Sequence, residues 1–161
     1  MQVPPPVVTR LPNQIPRSAV THPNRTRMVA GTVLIADRDP DTREILALAL
    51  SRAGLRPLVA ADGPSALATL ELEPVKLVIA ELYLACAHER CLLRALKRHP
   101  AHRDVLVIAY SSRVAAADRE WAHRQRCDVF LPKPTSIVDV VEHVRALLGH
   151  DAEHAALTTE S

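Results

Sequence analysis

From residue 32 onward the chain repeats one pattern: a short, continuous apolar run followed by a longer stretch with apolar residues at helical spacing. The runs predict strands over Thr32–Ala36, Arg56–Ala60, Lys76–Ala80, Val105–Tyr110 and Asp128–Leu131. Each is short and mostly apolar, as buried parallel strands are. The intervening stretches predict helices. The first opens at Pro40 and stops at Gly54, residues suited to a first turn and to a left-handed cap. The second follows Asp62-Gly63-Pro64 and ends before Pro74, the third covers His88–Arg98, and the fourth covers Arg113–Gln125. The clearest is the fifth, Ser136–Leu148, where Ile137, Val140, Val141, Val144, Leu147 and Leu148 share one face before Gly149. Five strand–helix pairs in alternation predict an α/β protein with a doubly wound parallel sheet.

In such a sheet ligands collect at the carboxyl ends of the strands. Four polar residues stand where apolar runs end: Asp37, Glu81, Ser111 and Lys133. Any one alone is a weak signal, but two acids, a hydroxyl and a lysine, each closing its own strand, form a candidate site.

Composition narrows the rest. At 161 residues and 48% hydrophobic the chain suffices for one core rather than two domains. A net charge of +2 does not by itself point to nucleic acid or a membrane surface. Charge is nonetheless uneven: residues 1–36 carry Arg10, Arg17, Arg25 and Arg27 and no acid. Prolines at 4, 5, 6, 12, 16 and 23 break that segment, so residues 1–29 are expected to be a disordered Pro/Arg-rich tail, with Met28 a conceivable alternative start. The ordered domain is expected over 30–149, with a polar tail over 150–161, too short for an output domain. No apolar run approaches the ~20 residues of a membrane span. Cys86, Cys91 and Cys127 fit no disulfide framework, which points to a reduced, cytoplasmic protein. Cys86, His88 and Cys91 match no common zinc spacing and are expected not to form a metal site; His150 and His154 lack a third ligand.

The strings Val33-Leu34-Ile35-Ala36-Asp37-Arg38-Asp39-Pro40, Ala60-Ala61-Asp62-Gly63, Leu77-Val78-Ile79-Ala80-Glu81, Val107-Ile108-Ala109-Tyr110-Ser111-Ser112 and Phe130-Leu131-Pro132-Lys133-Pro134 together resemble the receiver domain of bacterial two-component response regulators, over about residues 31–149. The resemblance implies the flavodoxin-like (βα)5 fold with strand order 2-1-3-4-5, and signalling by phosphorylation or its imitation rather than enzymatic turnover. It implies Asp37 and Arg38 at the acid-pair positions, Glu81 at the phospho-acceptor position, Ser111 and Lys133 as the groups that hold phosphate, and Phe130 as the aromatic that turns inward to change the output face.

Two of these six depart from the family's pattern. Glu81 stands where an aspartate is usual, and its longer side chain moves the carboxylate by about 1 Å or more, a misplacement that costs on the order of a hundredfold where catalysis is positioning. Arg38 stands where Mg²⁺ would find a carboxylate. The usual Pro-Gly after the acceptor is Ala85-Cys86. Three carboxylates beside one lysine leave about two negative charges for a divalent cation; here Asp37 and Glu81 face Lys133 and Arg38. The expectation is a self-neutralised ion cluster of Glu81 with Lys133, Arg38 included if it points inward, and doubtful Mg²⁺ binding. The competing arrangement turns Arg38 to solvent and makes Asp39 the second acid, with Asp37, Asp39 and Glu81 as residual ligands. Arg119, Arg124 and Arg126 near Trp121 offer a partner surface on the fourth helix.

The function expected is a stand-alone atypical receiver that acts as a protein-interaction module largely independent of phosphorylation. Its partner would be a sensor kinase, a phosphotransfer protein or a separate output protein, with no membrane and no nucleic acid. The alternatives are a working phosphoryl-accepting receiver using Asp37, Asp39 or Glu81, and a nucleic-acid-associated regulator acting through the basic tail.

Overall fold

The computed structural model describes residues 31–86 and 91–158, with side chains through residue 149. The N-terminal tail of residues 1–29 and the His88 of the Cys-x-His-x-x-Cys string lie outside the described residues. Five strands, β1 (Thr32–Ala36), β2 (Arg56–Ala60), β3 (Leu77–Ala80), β4 (Leu106–Ser111) and β5 (Val129–Pro132), form one parallel sheet in the order β2-β1-β3-β4-β5. Helices α1 (Pro40–Arg52), α2 (Gly63–Leu72), α3 (Leu92–Arg98), α4 (Ala116–Arg124) and α5 (Ile137–Thr158) connect and follow them. This is the flavodoxin-like (βα)5 fold with the strand order expected.

Strand periodicity divides the core into two layers. Val33, Ile35, Leu77, Ile79, Ile108 and Tyr110 face Leu46, Leu50, Val140 and Val144, and so cover α1 and α5. Leu34, Ala36, Val78, Ala80, Val107 and Ala109 face the other way, against Ala66, Leu70, Leu92, Leu96 and Ala122 of α2, α3 and α4. Small residues end β1 and β3 and face one in β4 in register, Ala36 beside Ala80 and Ala80 beside Ala109. The next residues, Asp37 and Glu81, are thereby neighbours at the sheet's edge.

Helix ends follow local chemistry. Asp39 and Asp62 cap α1 and α2, accepting from the backbone N–H of Thr42 and Ser65, and a proline enters each first turn. Gly54, after α1, sits at φ 82°, where a side chain would be strained. Gly63 lies against the β3–α3 loop, where a Cβ would fall 2.2 Å from the carbonyl oxygen of Ala85. Arg126 occupies the left-handed region before β5, at φ 59°.

Several boundaries differ from the sequence expectation. Strand β4 starts and ends one residue later, so Ser111 is its last residue and is fully buried. Strand β5 is likewise shifted by one residue, and Asp128 just before it donates its N–H to the Val107 carbonyl (2.8 Å) and accepts the Val107 N–H on its carboxylate (2.7 Å). Helix α4 begins at Ala116 rather than Arg113, and the Arg113 N–H donates to the Ser111 hydroxyl (3.1 Å). Helix α5 does not stop at Gly149 and runs on to Thr158 through the stretch expected to be a tail. An interior glycine costs roughly 0.5–1 kcal/mol against alanine, and the Ala, Glu and Leu residues that follow are strong helix formers that offset it.

Candidate functional site

The carboxyl ends of β1, β3, β4 and β5 bring Asp37, Glu81, Ser111 and Lys133 into one hydrogen-bonded cluster. The Lys133 ammonium lies between two carboxylates, 2.6 Å from Asp37 Oδ2 and 2.9 Å from Glu81 Oε2. The other Glu81 oxygen, Oε1, accepts from the Ser111 hydroxyl at 2.5 Å and from the Leu82 N–H at 2.9 Å. Asp37 Oδ1 accepts from the Asp39 N–H at 2.9 Å. Backbone pairing sets this geometry: Glu81 N–H donates to Ala36, Asp37 N–H to Ala60 and Lys133 N–H to Ser111. The Lys133–Pro134 peptide is cis.

The cluster is largely withdrawn from solvent, with side-chain exposures of 5% for Asp37, 15% for Glu81 and 21% for Lys133. Burial pushes the Glu81 carboxyl up, but the Ser111 hydroxyl and the Lys133 ammonium outweigh it, and the net shift is below its ordinary value. Burial likewise opposes the charge on Lys133, while Asp37 and Glu81 outweigh it and raise the ammonium's pKa. Both ends of the pair are thus held charged.

Arg38 is exposed and takes no part in the cluster. Arg38 thus points to solvent, as in the second of the two arrangements expected from the sequence, and Asp39 sits at the helix cap rather than in the cluster. Asp39 Oδ2 is bonded to the N–H and hydroxyl of Thr42 at the start of α1 (3.0 and 2.5 Å). Arg43 reaches back to the carbonyls of Asp37 and Arg38 (2.7 and 2.9 Å), which pins the turn. With the backbone tied on both sides, the Arg38 side chain is turned outward.

Mg²⁺ prefers six oxygen donors in a near-octahedral shell and usually takes one or two protein carboxylates. Here the two inward carboxylates are bridged by an ammonium, the Arg38 position offers no oxygen ligand from its side chain, and Asp39 is spent on the helix cap. The carboxylates that would hold the ion, Asp37 and Glu81, are the two that Lys133 already bridges. Among the described residues, no three His, Cys, Asp or Glu side chains converge as ligands elsewhere. Cys91 is buried at the start of α3, and burial pushes the Cys127 thiol up to about 12, which disfavours its thiolate.

Phe130 is half-buried against the α2–α3–α4 layer, with the Arg119 guanidinium 4.8 Å from its ring centroid. Beside it lies a group the sequence reading passed over. Tyr83, two residues beyond Glu81, donates to Asp118 Oδ1 at 2.7 Å and tilts against Trp121, with ring centroids 5.1 Å apart. The signal available was scarcity: the chain has one Trp, one Phe and two Tyr.

Comparison with known proteins agrees with the fold. Among solved structures, the signal receiver domain of a signal transduction histidine kinase from Syntrophus aciditrophicus superposes with a TM-score of 0.67 at 27% identity, over 74% of this chain and 91% of that one. The transcriptional activator protein PfeR of Pseudomonas aeruginosa is 31% identical over 116 residues, 72% of this chain and 37% of its own length. The sensory transduction protein RegX3 of Mycolicibacterium smegmatis is 28% identical over 123 residues, 76% of this chain and 53% of its own length. The chain thus spans about half or less of these two curated relatives. Among the described residues no helix is long and apolar enough to cross a membrane. The response regulator receiver domain model matches residues 33–145, and with strand order and relatives in agreement, the chain belongs to that family of two-component signalling modules.

Proposed function

We propose that this receiver is a protein-interaction module whose conformation is held by its own side chains, largely independent of phosphorylation. The observation that carries the reading is the placement of Lys133. Its ammonium bridges Asp37 and Glu81, and the Ser111 hydroxyl holds the remaining Glu81 oxygen. The lysine and hydroxyl that the family resemblance assigns to phosphate are spent on a carboxylate of the chain itself. Charge supports the same reading, since a divalent cation would have to displace the ammonium from both acids. Output then runs through contact with another protein, such as a sensor kinase, a phosphotransfer protein or a separate output protein.

The test is incubation with a small-molecule phosphodonor and Mg²⁺, followed by intact mass. The expected result is no phosphate adduct. A stable adduct lost on Glu81→Gln, Asp37→Asn or Asp39→Asn would replace this reading with a phosphoryl-accepting receiver.

A further inference from the structure

Helix α4 buries fewer residues than any other helix of the fold. Ala122 is its one buried residue, and its N-cap Ala115 supplies no side-chain hydrogen bond. By contrast α1 buries Leu46, Ala47 and Leu50 and is capped by Asp39. A nine-residue polar helix does not persist in water on its own propensity, so contacts from outside must fix it.

Those contacts gather three of the chain's four Phe, Tyr and Trp residues. On one side Tyr83 donates to Asp118, packs its ring on Trp121 and carries the Arg113 guanidinium 5.1 Å from its centroid. On the other side Arg119 covers the Phe130 ring of β5. The segment bearing Tyr83 is itself firmly seated. Leu82 and Leu84 are buried on either side of it, Leu84 O accepts from the Leu92 N–H at 2.8 Å, and Ala85 O accepts from the Gly63 N–H at 3.1 Å. The Asp118 bond also raises the phenol's pKa, which keeps it a donor through neutral pH.

We propose that Tyr83 is a positioning residue that clasps α4 to the loop carrying Glu81, and so holds the α4–β5 face in one conformation. The clasp is built from contacts separate from the Glu81–Lys133 pair, and it holds α4 whether or not Glu81 takes a phosphoryl group. A cation over an aromatic face and a phenol on a carboxylate are directional contacts, so they fix orientation as well as proximity.

Hydrogen exchange and the emission of Trp121, the single tryptophan, read the clasp directly. Tyr83→Phe keeps the ring and removes the donor. Exchange at residues 116–124 is expected to accelerate by about tenfold or more, while α1 and β1 keep their protection. Asp118→Ala should match it, whereas Asp118→Asn, which keeps an acceptor oxygen, should retain most of the protection. Tyr83→Ala should in addition shift the Trp121 emission to the red. Should Tyr83→Ala fail to fold, Tyr83→Phe decides. Unchanged α4 exchange in both Tyr83→Phe and Asp118→Ala overturns the proposal, as does loss of protection spread evenly over the sheet.

Discussion

The β1–α1 and β3–α3 corners lie side by side at the carboxyl end of the sheet, and each carries one departure from the family's pattern. At the β3–α3 corner the altered residue, Glu81, points inward and every oxygen of its carboxylate has a partner: Lys133 on one, Ser111 and Leu82 on the other. At the β1–α1 corner the altered residue, Arg38, points outward and only its backbone carbonyl is engaged, by Arg43. The first change adds an interaction to the site. The second only subtracts an acid. One residue of difference in where a turn points has decided which substitution became part of the machinery.

The largest test of this contrast removes the residue common to both corners. Lys133→Ala leaves Asp37 and Glu81 facing each other without a cation. Breaking a buried pair by removing one partner costs ~3–5 kcal/mol, and the residual exposure of Lys133 lowers the expected loss to ~2–4 kcal/mol. Urea denaturation measures it. Part of the loss should return at acid pH, where protonation of Glu81 relieves the repulsion. A loss below ~0.5 kcal/mol would mean the cluster is an exposed pair in solution.

Glu81→Gln separates the ion pair from the hydrogen bond. The amide oxygen still accepts from Ser111, and Lys133 keeps Asp37, so the expected loss is ~1–2 kcal/mol at neutral pH. Its pH dependence follows from the two shifts. The pKa of Glu81 is lowered in the fold, so its contribution is present above the ordinary value and is lost as pH falls through the lowered one. The pKa of Lys133 is raised, so its contribution is present below the ordinary value and is lost as pH rises through the raised one. The gap between wild type and Glu81→Gln should therefore be widest at neutral pH and close at both extremes. A gap that stays constant into acid would assign the stability of Glu81 to packing.

Much of this site was legible before any coordinates. A continuous apolar run ends where the side chains turn polar, and parallel register then places successive strand ends together, so Asp37, Glu81, Ser111 and Lys133 could be grouped from their positions alone. Other features rest on contacts that have no period. The direction of Arg38 depends on Arg43 and on the Asp39 cap. Tyr83 sits in a loop, where no repeat marks an inward residue, and its partner Asp118 is 35 positions away. The stop expected at Gly149 read a glycine as punctuation, whereas the helix carries it with nothing within 4 Å of the missing Cβ.

The cap itself offers a smaller test. Asp39→Ala should lower stability by less than Glu81→Gln, because the residue is exposed and its bonds are local to Thr42. Asp39→Asn should restore most of the loss, since an amide oxygen caps as well. Thermal denaturation of the three proteins ranks them. If Asn failed to rescue while adding Mg²⁺ to the wild type raised its melting temperature, Asp39 would be a metal ligand and the contrast between the corners would shrink.

The smallest effect is the most pointed. Arg38→Ala should change stability by less than ~0.5 kcal/mol, as surface substitutions without partners do. The acid limb of the Glu81 profile should also stay where it is. A guanidinium within the cluster would help hold Glu81 ionised, so its removal would move that limb upward in pH. An outward Arg38 is screened by water and salt and moves nothing. Matching the pH profiles of Arg38→Ala and wild type therefore tests the direction of this side chain in solution, and an upward shift would bring Arg38 back into the charge balance of the site.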